Sequence, residues 1–289
     1  MISAKRRAQS VERSGSPFDD MADGYDAGFT HSALGQLLRQ AVWARLDAAF
    51  APGERVLELS CGTGEDAIHL AQRGVRVLAT DVSTSMLAVA QAKVTCAGLK
   101  ELVTLQHLDI ASLSTQHSAL STLPRARRTQ HSALSTQHSP FDGAFSNFGG
   151  LNCVADQAGV AAGLARRLRP GARALLCVMG PLVPWEWAWY GGRGELGRAV
   201  RRLRPGGVAW RGLRISYPSI GTLRSAYAPW FRCRRVSAVG ALLPPSYAEL
   251  WARARPRLLW ALHRIERRFE AAPPLPWLAD HYLIELERK

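Results

Sequence analysis

A short apolar segment that runs into a glycine-rich turn constrains this chain more than any other feature. Between Val56 and Ala67 an acidic residue, Glu58, ends the apolar segment, and Gly62 and Gly64 follow in a tight turn. Glycines let the backbone approach a bound group closely, and a helix that begins after the turn offers free N–H groups to an anion. The pattern predicts a strand, a turn and a helix that hold a nucleotide-like ligand.

Further apolar segments are spaced as the other strands of the same sheet, and several end in polar residues. Asp81 ends the second segment and is suitably placed to bind both hydroxyls of a ribose. Asp109 follows the third, where a carboxylate can accept from an exocyclic adenine amine, and Asn147 ends the fourth. Open parallel sheets bind ligands at the carboxyl ends of their strands, so we expect these side chains at one edge. The later strands are predicted at 73–81, 102–108, 141–147, 172–179, 231–239 and 281–287.

The glycine turn alone leaves the class of ligand open. Gly62, Gly64 and Ala67 also match the spacing of the dinucleotide-binding fingerprint. A nicotinamide-dependent oxidoreductase would have no use for Asp109, however, and it would bind NAD. The ordered series of polar residues at successive strand ends favours a different ligand.

These residues resemble those of the class I S-adenosylmethionine (SAM)-dependent methyltransferases, of the bacterial small-molecule type found in quinone biosynthesis. The resemblance covers residues 18–179 well and the remainder loosely. The usual acid-x-Gly-x-Gly-x-Gly signature of that family is here Glu58-Leu-Ser60-Cys-Gly62-Thr-Gly64, with serine in place of the first glycine. The resemblance implies a Rossmann-like, doubly wound α/β fold with a mostly parallel seven-stranded sheet, an antiparallel edge strand and helical cap insertions.

The resemblance also implies SAM as the cofactor. Ser60 would either crowd this cofactor slightly or bond to its amino-acid end. Tyr25 would lie on a segment that closes over the cofactor, although a surface aromatic residue packed on the first helix is an equally good interpretation. Arg39 could line the same cavity. The expected cofactor-binding residues are Tyr25, Glu58, Ser60, Gly62, Thr63, Gly64, Asp81, Val82, Met86, Asp109, Ile110 and Asn147.

The order of these patterns divides the chain into regions. Apolar residues at helical spacing predict a helix over 33–50, before the first strand. Helical material after the fifth and sixth strands predicts two cap insertions above the ligand edge. The expected regions are a disordered tail at 1–17, lid helices at 18–50 and a SAM-binding domain at 51–289, with a repeat insertion at 113–140 and cap insertions at 181–216 and 241–280.

A seven-residue unit recurs within the repeat insertion and places His117, His131 and His138 in register. Histidine tracts can bind metal ions. An in-frame tandem duplication of the DNA explains the repeat without any function, and we favour that interpretation. We therefore expect a flexible surface excursion without a catalytic role, and no metal site.

Tryptophan is concentrated late in the chain, where eight of the nine residues lie from Trp185 onward. Trp185, Trp187 and Trp189 are predicted to lie in a loop directly after the fifth strand. Large aromatic surface in a cap suits a bulky or flat apolar acceptor, so we predict that these three residues and His31 bind the substrate. Rings that only fasten the cap to the sheet are the alternative.

The net charge of +14 raises the possibility of a nucleic-acid partner. The basic residues are nearly all arginines, however, and many fall at helical spacing beside apolar residues, as on solvated faces. Residues 147–150 also lack the Asn/Asp-Pro-Pro-aromatic motif of enzymes that methylate base amino groups. We expect a small-molecule acceptor and no nucleic-acid partner, and the oligomeric state stays open. The alternatives are an RNA or protein methyltransferase and a noncatalytic SAM-binding protein.

The expected reaction is an in-line displacement in which the protein aligns the acceptor and excludes water. No catalytic base can be assigned, because His31, His69 and His281 are candidates by residue type only. The longest apolar window, at 172–190, contains charged residues and prolines, so it predicts a buried strand rather than a membrane span. Five cysteines in an unpatterned distribution suit a reducing cytoplasm.

Overall fold

The computed structural model describes residues 16–113 and 140–289. The strands are β1 (Arg55–Leu59), β2 (Arg76–Asp81), β3 (Val103–His107), β4 (Phe141–Ser146), β5 (Leu168–Met179), β6 (Val208–Trp210), β7 (Leu213–Ile215), β8 (Phe231–Val239) and β9 (His281–Arg288). The α-helices are α1 (Ala22–Tyr25), α2 (Ala33–Ala49), α3 (Glu65–Gln72), α4 (Thr84–Cys96), α5 (Gln157–Arg167), α6 (Pro184–Gly191), α7 (Leu196–Ala199), α8 (Ile220–Tyr227), α9 (Glu249–Arg253) and α10 (Pro256–Phe269).

Seven strands form one sheet in the order β3-β2-β1-β4-β5-β9-β8. β1 to β5 pair in parallel, whereas β9 pairs antiparallel with both β5 and β8. The predicted doubly wound, mostly parallel seven-stranded sheet is thereby confirmed. The antiparallel strand lies one position inside the edge, because β8 pairs along its outer side. Since β9 runs the opposite way, it begins at the same rim at which the parallel strands end.

Helices cover both faces of the sheet and enclose two apolar cores. Successive residues of a strand point to opposite faces, so Leu175 and Leu176 of β5 lie in different cores although both are fully buried. One core contains residues of α2, α3 and α4, and the other contains residues of α5 and α8. This two-sided burial explains why the central strands are continuous apolar runs in the sequence.

The helix predicted over 33–50 is α2, and its start is held from two sides. Ser32 caps it, because the Ser32 Oγ accepts from the Gly35 N–H at 2.9 Å. The Glu249 carboxylate at the start of α9 accepts from the Ala33 and Leu34 N–H groups at 2.7 and 3.2 Å. The second cap insertion therefore supplies partners to the N-terminal lid helix, across more than 200 residues of sequence.

The first cap insertion contains a helix where a loop was predicted. Trp185, Trp187 and Trp189 lie on α6, so the loop assigned to them is wrong. Pro184 is the first residue of this helix, and its fixed φ favours a helical start at a position that needs no N–H donor. Trp185 and Trp189, four residues apart, therefore lie on one side of this helix, and Trp187 points to another side.

A short hairpin in the same insertion has no counterpart in the predictions. β6 and β7 pair antiparallel across Arg211 and Gly212, and both of these residues have positive φ, at 46° and 84°. A two-residue loop with two positive φ angles is the type I′ turn that matches the twist of a hairpin. Trp210 at its tip contacts Phe18, with ring centroids 5.3 Å apart, so the hairpin touches the N-terminal lid.

Two predicted regions fall largely outside this description. Residues 1–15 of the expected tail and residues 114–139 of the repeat insertion, with all three of its histidines, lie outside the described residues. None of the helices in the described ranges is long and apolar enough to cross a lipid bilayer.

Replacing Arg45 with methionine should destabilise the sheet face that carries α2. The Arg45 Nε donates to Oε1 of the almost wholly buried Glu285 at 2.7 Å, and Nη2 lies 2.7 Å from the same oxygen. Without it the carboxylate loses its closest partner, and we expect the free energy of unfolding to fall by about 3 kcal/mol. Arg232→Met, at an exposed position on β8, is the matched control and should cost less than about 0.5 kcal/mol. Equal losses in urea denaturation would contradict the assignment.

Candidate functional site

The turn between β1 and α3 has the backbone that its glycines predict. Gly62 and Gly64 have φ angles of +54° and +77°, in the left-handed region that glycine adopts without cost. A Cβ on Gly64 would lie 2.9 Å from the Cβ of Ala90 in α4, whereas a Cβ on Gly62 would meet nothing within 4 Å. The turn is thus packed tightly against α4 at Gly64, and it leaves open space over Gly62.

Ser60, which replaces the first glycine of the signature, keeps a glycine-like backbone. Its φ is +56°, a conformation that costs a residue with a Cβ roughly 1–2 kcal/mol. A Cβ on Gly150 would lie 2.4 Å from both the Cβ and the Oγ of Ser60. The serine side chain therefore occupies the space next to Gly150, in the loop after β4, and the missing side chain at 150 makes room for it.

Asp81 at the end of β2 lies directly against the glycine turn. Its Oδ2 accepts from the Gly62 N–H at 2.8 Å, and its Oδ1 accepts from the Ser83 N–H at 2.8 Å. Burial raises the pKa of this carboxyl group despite the two bonds. Asp109 is exposed at the neighbouring strand end and accepts from the Ala111 N–H at 2.9 Å. The structure therefore brings both predicted carboxylates to the same rim.

Other predicted cofactor residues differ in their exposure. Val82 follows Asp81 and is exposed, whereas Met86 and Ile110 are buried. Glu58 is buried in β1, and its Oε2 has no hydrogen-bond partner among the described residues. Burial, followed by the charge of nearby Asp66, raises the pKa of Glu58 well above its usual range. An acid in such a place needs either a proton or a ligand that donates to it.

The centre of the site is a residue that sequence reasoning missed. The buried carboxylate of Asp66, in α3, accepts from Arg39 Nη1 at 2.6 Å, from Trp43 Nε1 at 2.7 Å and from Asn147 Nδ2 at 2.9 Å. Burial alone would raise the pKa of Asp66, but Arg39 and the other donors hold it below its usual value. Arg39 and Trp43 are four residues apart, a spacing that places both on one face of α2.

Two buried polar atoms of this cluster remain without partners. Asn147 Oδ1 and Arg39 Nε make no hydrogen bond within the described parts of the chain. Unpaired buried polar atoms are rare and costly in folded proteins. Their position beside the glycine turn and the end of β4 marks a place where a polar ligand can bind.

Asp26, in the lid segment 18–50, connects that segment to the glycine turn. Its Oδ1 accepts from Thr63 Oγ1 at 2.7 Å, and its Oδ2 accepts from Lys93 Nζ at 2.8 Å. Lys93 also donates to Glu65 at 2.6 Å. Burial raises the pKa of Asp26, but Lys93 and Thr63 outweigh that effect and lower it. The predicted turn residue Thr63 is thus engaged by the lid.

A second lid contact lies over the turn after β2. Asp19 Oδ1 accepts from Ser83 Oγ at 2.5 Å and from the Ser85 N–H at 3.3 Å. Tyr25 lies between Asp19 and Asp26 in the sequence. Its side chain is half-buried, and its ring centroid lies 5.9 Å from that of Phe29. Burial raises the pKa of its hydroxyl. The lid therefore spans both turns of the expected cofactor site.

Aromatic rings line the end of β4. Phe148 has a φ of +52°, and its ring lies 5.2 Å from Phe29 and 5.6 Å from His281. The Arg39 guanidinium lies 5.2 Å from the Phe148 ring and 5.5 Å from that of Phe29. The rim therefore combines aromatic faces, a guanidinium and an imidazole within one cluster.

The imidazole belongs to a buried charged chain at the start of β9. His281 Nδ1 lies 3.1 Å from Asp280 Oδ2. Arg202 Nη2 donates to Asp280 Oδ1 at 2.6 Å, and Arg202 Nε lies 2.6 Å from Glu186 in α6. Burial would raise the pKa of Asp280, but Arg202 and His281 hold it far below its usual range. Sequence reasoning found no such chain, because Arg202 and Glu186 come from a distant cap segment.

The four predicted substrate residues are not brought together. Trp185 lines an apolar cavity of about 420 Å³ and lies 6.2 Å from Trp251. Trp189 packs instead against Tyr247 at 5.8 Å, while Trp187 is half-buried and His31 is exposed. The other residues that line the cavity are Pro184, Ala188, Ala241, Leu242, Leu275 and Leu278.

The described residues contain no candidate metal centre. No group of three or more histidine, cysteine, aspartate or glutamate side chains within residues 16–113 and 140–289 is arranged to hold a metal ion.

The packing of Ser60 against Gly150 can be tested by a double-mutant cycle. Gly150→Ala should destabilise the protein by about 1–3 kcal/mol, because its Cβ would overlap Ser60. In the Ser60→Gly background the same change should cost less than half as much, since the blocking side chain is gone. Denaturant unfolding of the four proteins measures this coupling. Additive losses would show that the two side-chain positions do not compete for space.

Comparison with known proteins places the glycine turn within a methyltransferase domain. Residues 56–123 match a family model described as a methyltransferase domain. A demethylmenaquinone methyltransferase of Clavibacter sepedonicus is 31% identical over 164 residues, which cover 55% of each chain. One from Symbiobacterium thermophilum is 36% identical over 96 residues, or 31% of this chain and 37% of the relative. The matches thus span only about a third to a half of these curated relatives.

The fold has counterparts among solved structures. An S-adenosylmethionine-dependent methyltransferase from Mesorhizobium loti superposes with a TM-score of 0.51 at 21% identity, over 86% of this chain and 98% of the other. At that identity the likeness shows the fold alone. The fold, the strand-end carboxylates and the family match together confirm the resemblance drawn from the glycine signature. Residues 56–123 thus match a methyltransferase domain, within a fold that this chain shares with SAM-dependent methyltransferases.

Proposed function

We propose that this protein transfers a methyl group from SAM to a small acceptor with an apolar or aromatic body. The observation that carries the proposal is the contact of the Asp81 carboxylate with the Gly62 N–H, at 2.8 Å, beside the open space over that glycine. Each carboxylate oxygen can accept more than one hydrogen bond, so Asp81 can take both ribose hydroxyls while it holds the turn. The relatives named demethylmenaquinone methyltransferases support methyl transfer to a small molecule.

The remaining predicted residues divide by position along the rim. Asp109, at the exposed end of β3, is assigned to the adenine amine, with Val82 and Ile110 beside it. The partnerless Asn147 Oδ1 and Glu58 Oε2 are assigned to the amino-acid end, where they can accept from an ammonium group. The lid residue Tyr25, the turn residues Ser60 and Thr63, and Met86 of α4 are kept as neighbours of the cofactor.

SAM, when bound, supplies a methyl group that is already electrophilic. The residues of this chain then have to bind the acceptor, exclude water and remove a proton where the acceptor carries one. Phe29 and Phe148 offer aromatic faces that stabilise a nearby cation. The lid contacts of Asp19 and Asp26 close the site from the solvent side.

We assign proton removal to His281. Its ring packs edge-on against Phe148, the residue after Asn147, and Nε2 is the ring nitrogen that does not contact Asp280. Asp280 lies on the Nδ1 side and stays ionised because Arg202 holds its pKa low. An ionised carboxylate at that nitrogen favours the tautomer in which Nε2 is the proton acceptor.

The apolar cavity beside Trp185 is assigned to the body of the acceptor. It lies in the cap, and its lining residue Ala241 follows Gly240, whose carbonyl accepts from the Asp280 N–H at 3.3 Å. The backbone thus links the cavity wall to the pair formed by Asp280 and His281. An acceptor with an ionisable group and an apolar body fits this arrangement better than RNA or a protein surface.

We also propose a cytoplasmic location. All five cysteines of the chain are free thiols, as expected for a protein kept in a reducing compartment.

Asp81→Asn should weaken SAM binding about 10- to 100-fold, or about 1.5–3 kcal/mol, because it removes the charge from the ribose contacts. The asparagine keeps one oxygen as an acceptor for the turn, which limits damage to the fold. Isothermal titration with SAM, S-adenosylhomocysteine and NAD measures the effect, and we expect no binding of NAD. Glu101→Gln, on an exposed turn, is the matched control. An unchanged affinity of Asp81→Asn would refute the ribose assignment.

His281→Gln should lower the rate of methyl transfer about 100-fold or more while SAM affinity stays unchanged. The assay follows labelled methyl from SAM into the small-molecule, RNA and protein fractions of a bacterial extract. His69→Gln, which removes a half-buried histidine 2.8 Å from Asp47, is the control. Label found only in RNA or protein would show that the acceptor is not a small molecule. No label in any fraction would favour a noncatalytic SAM-binding protein.

A further inference from the structure

The outer face of α10 carries a feature that the proposed methyl transfer does not use. Its inner face is fixed to the sheet, because the buried Glu266 carboxylate accepts from the Gly240 and Leu242 N–H groups at 2.7 Å each. Leu259 and His263 are buried on the same side. These contacts fix the rotation of α10 about its axis, so the rest of its surface faces the outside of the molecule.

One exposed flank of α10 is apolar along a stripe. Leu258, Ile265 and Phe269 are 43, 50 and 52% exposed, and with Ala261 they follow the three- and four-residue spacing that aligns side chains along a helix. Leu250, on the neighbouring α9, is 87% exposed. Single exposed apolar residues are ordinary, but an aligned set marks an interaction site.

Arginines lie beside the apolar stripe. Arg257, Arg264 and Arg268 form an exposed row at helical spacing next to it. Trp260, 57% exposed, lies beyond this row, and the Arg264 guanidinium is 5.9 Å from its ring. The Arg268 guanidinium lies 5.8 Å from the ring of Phe269. Cationic and apolar groups are therefore interleaved on one exposed surface.

The acidic residues of this region face away from that surface. Between 249 and 269 the chain has six arginines and only two glutamates. The carboxylate of Glu249 is bound to the start of α2, and that of Glu266 is bound to the loop after β8. The exposed side of α9 and α10 is thus positively charged, because its negative groups are used inside the protein.

We propose that this face of α9 and α10 binds the surface of a bilayer that contains anionic phospholipids. A basic amphipathic helix with exposed leucine, isoleucine, phenylalanine and tryptophan is suited to lie in the interfacial plane, with its apolar stripe among the acyl chains and its arginines among the phosphates. Nucleic acid would complement the arginines, but it would leave Leu258, Ile265 and Phe269 without apolar partners. The charge and the apolar stripe together therefore favour the lipid surface.

The proposal stands independently of methyl transfer and adds a route for the acceptor. The cap segment 241–280 contains α9 and α10, and it also supplies Ala241, Leu242, Leu275 and Leu278 to the apolar cavity. A segment that rests on a bilayer can therefore take an apolar acceptor from the lipid phase.

Sedimentation of the full chain with lipid vesicles tests the proposal. The probes are vesicles of phosphatidylcholine alone and of phosphatidylcholine with phosphatidylglycerol, at low and high salt, without SAM or any acceptor. We expect binding to the anionic vesicles that is weakened by salt, and affinity for the neutral vesicles at least about tenfold lower.

Two variants separate the apolar and the charged contributions. Ile265→Ser combined with Phe269→Ser, and Arg257→Gln combined with Arg264→Gln and Arg268→Gln, should each reduce binding to anionic vesicles about tenfold or more. Trp230→Ser is the control, because Trp230 is exposed directly before β8, at the end of that strand away from Gly240 and α10. SAM affinity and circular dichroism should stay unchanged in all variants, since the altered residues are exposed.

Three outcomes would overturn the proposal. One is a folded wild-type protein that does not bind anionic vesicles, or that binds them equally well in every variant. Another is tighter binding to an RNA oligonucleotide that only the arginine variant loses. The third is a dimer in light scattering that dissociates in the Ile265→Ser and Phe269→Ser variant, which would assign the stripe to a second copy of this chain. Failure of methyl transfer would leave all three measurements interpretable, because none of them requires it.

Discussion

The buried carboxylate of Asp66 is the interaction on which the rest of the site depends. An ionised group is tolerated in an apolar interior only when charged or polar donors surround it, and here the donors come from α2 and from the end of β4. The helix that carries Asp66 begins at the glycine turn, so the turn, the lid helix and β4 are held in one arrangement. Any displacement of α2 has to provide Asp66 with another partner or leave its charge unpaired.

The sheet could be predicted closely from the sequence. β8 has the predicted bounds, and β9 extends the prediction by one residue, because long apolar or alternating runs are a strong local signal. The tryptophan helix α6 and the hairpin of β6 and β7 were harder to predict. Their elements are only eight and three residues long, and the turn at Arg211 and Gly212 shows a single glycine in the sequence.

Some residues of the candidate site could likewise be predicted from the sequence, and others could not. Asp81 and Asp109 could be placed because parallel strands present their carboxyl ends along one rim, which is a rule of topology rather than of detailed packing. The roles of Asp66 and Asp280 could not be predicted, since the partners of Asp66 lie 23 to 81 residues away and Arg202, which holds Asp280 ionised, lies 78 residues away. Asp66 also suits a helix N-terminus, and this simple local explanation concealed its tertiary role.

The contact between Ser60 and Gly150 has a consequence for how this sequence can evolve. While serine occupies position 60, any side chain at 150 meets an occupied volume, so position 150 is confined to glycine by a neighbour that is distant in the chain. The reverse path is open, because glycine at 60 would relieve the backbone and free the loop at once. The order of substitution therefore matters. Once serine is present at position 60, Gly150 can be replaced only after Ser60 has been replaced.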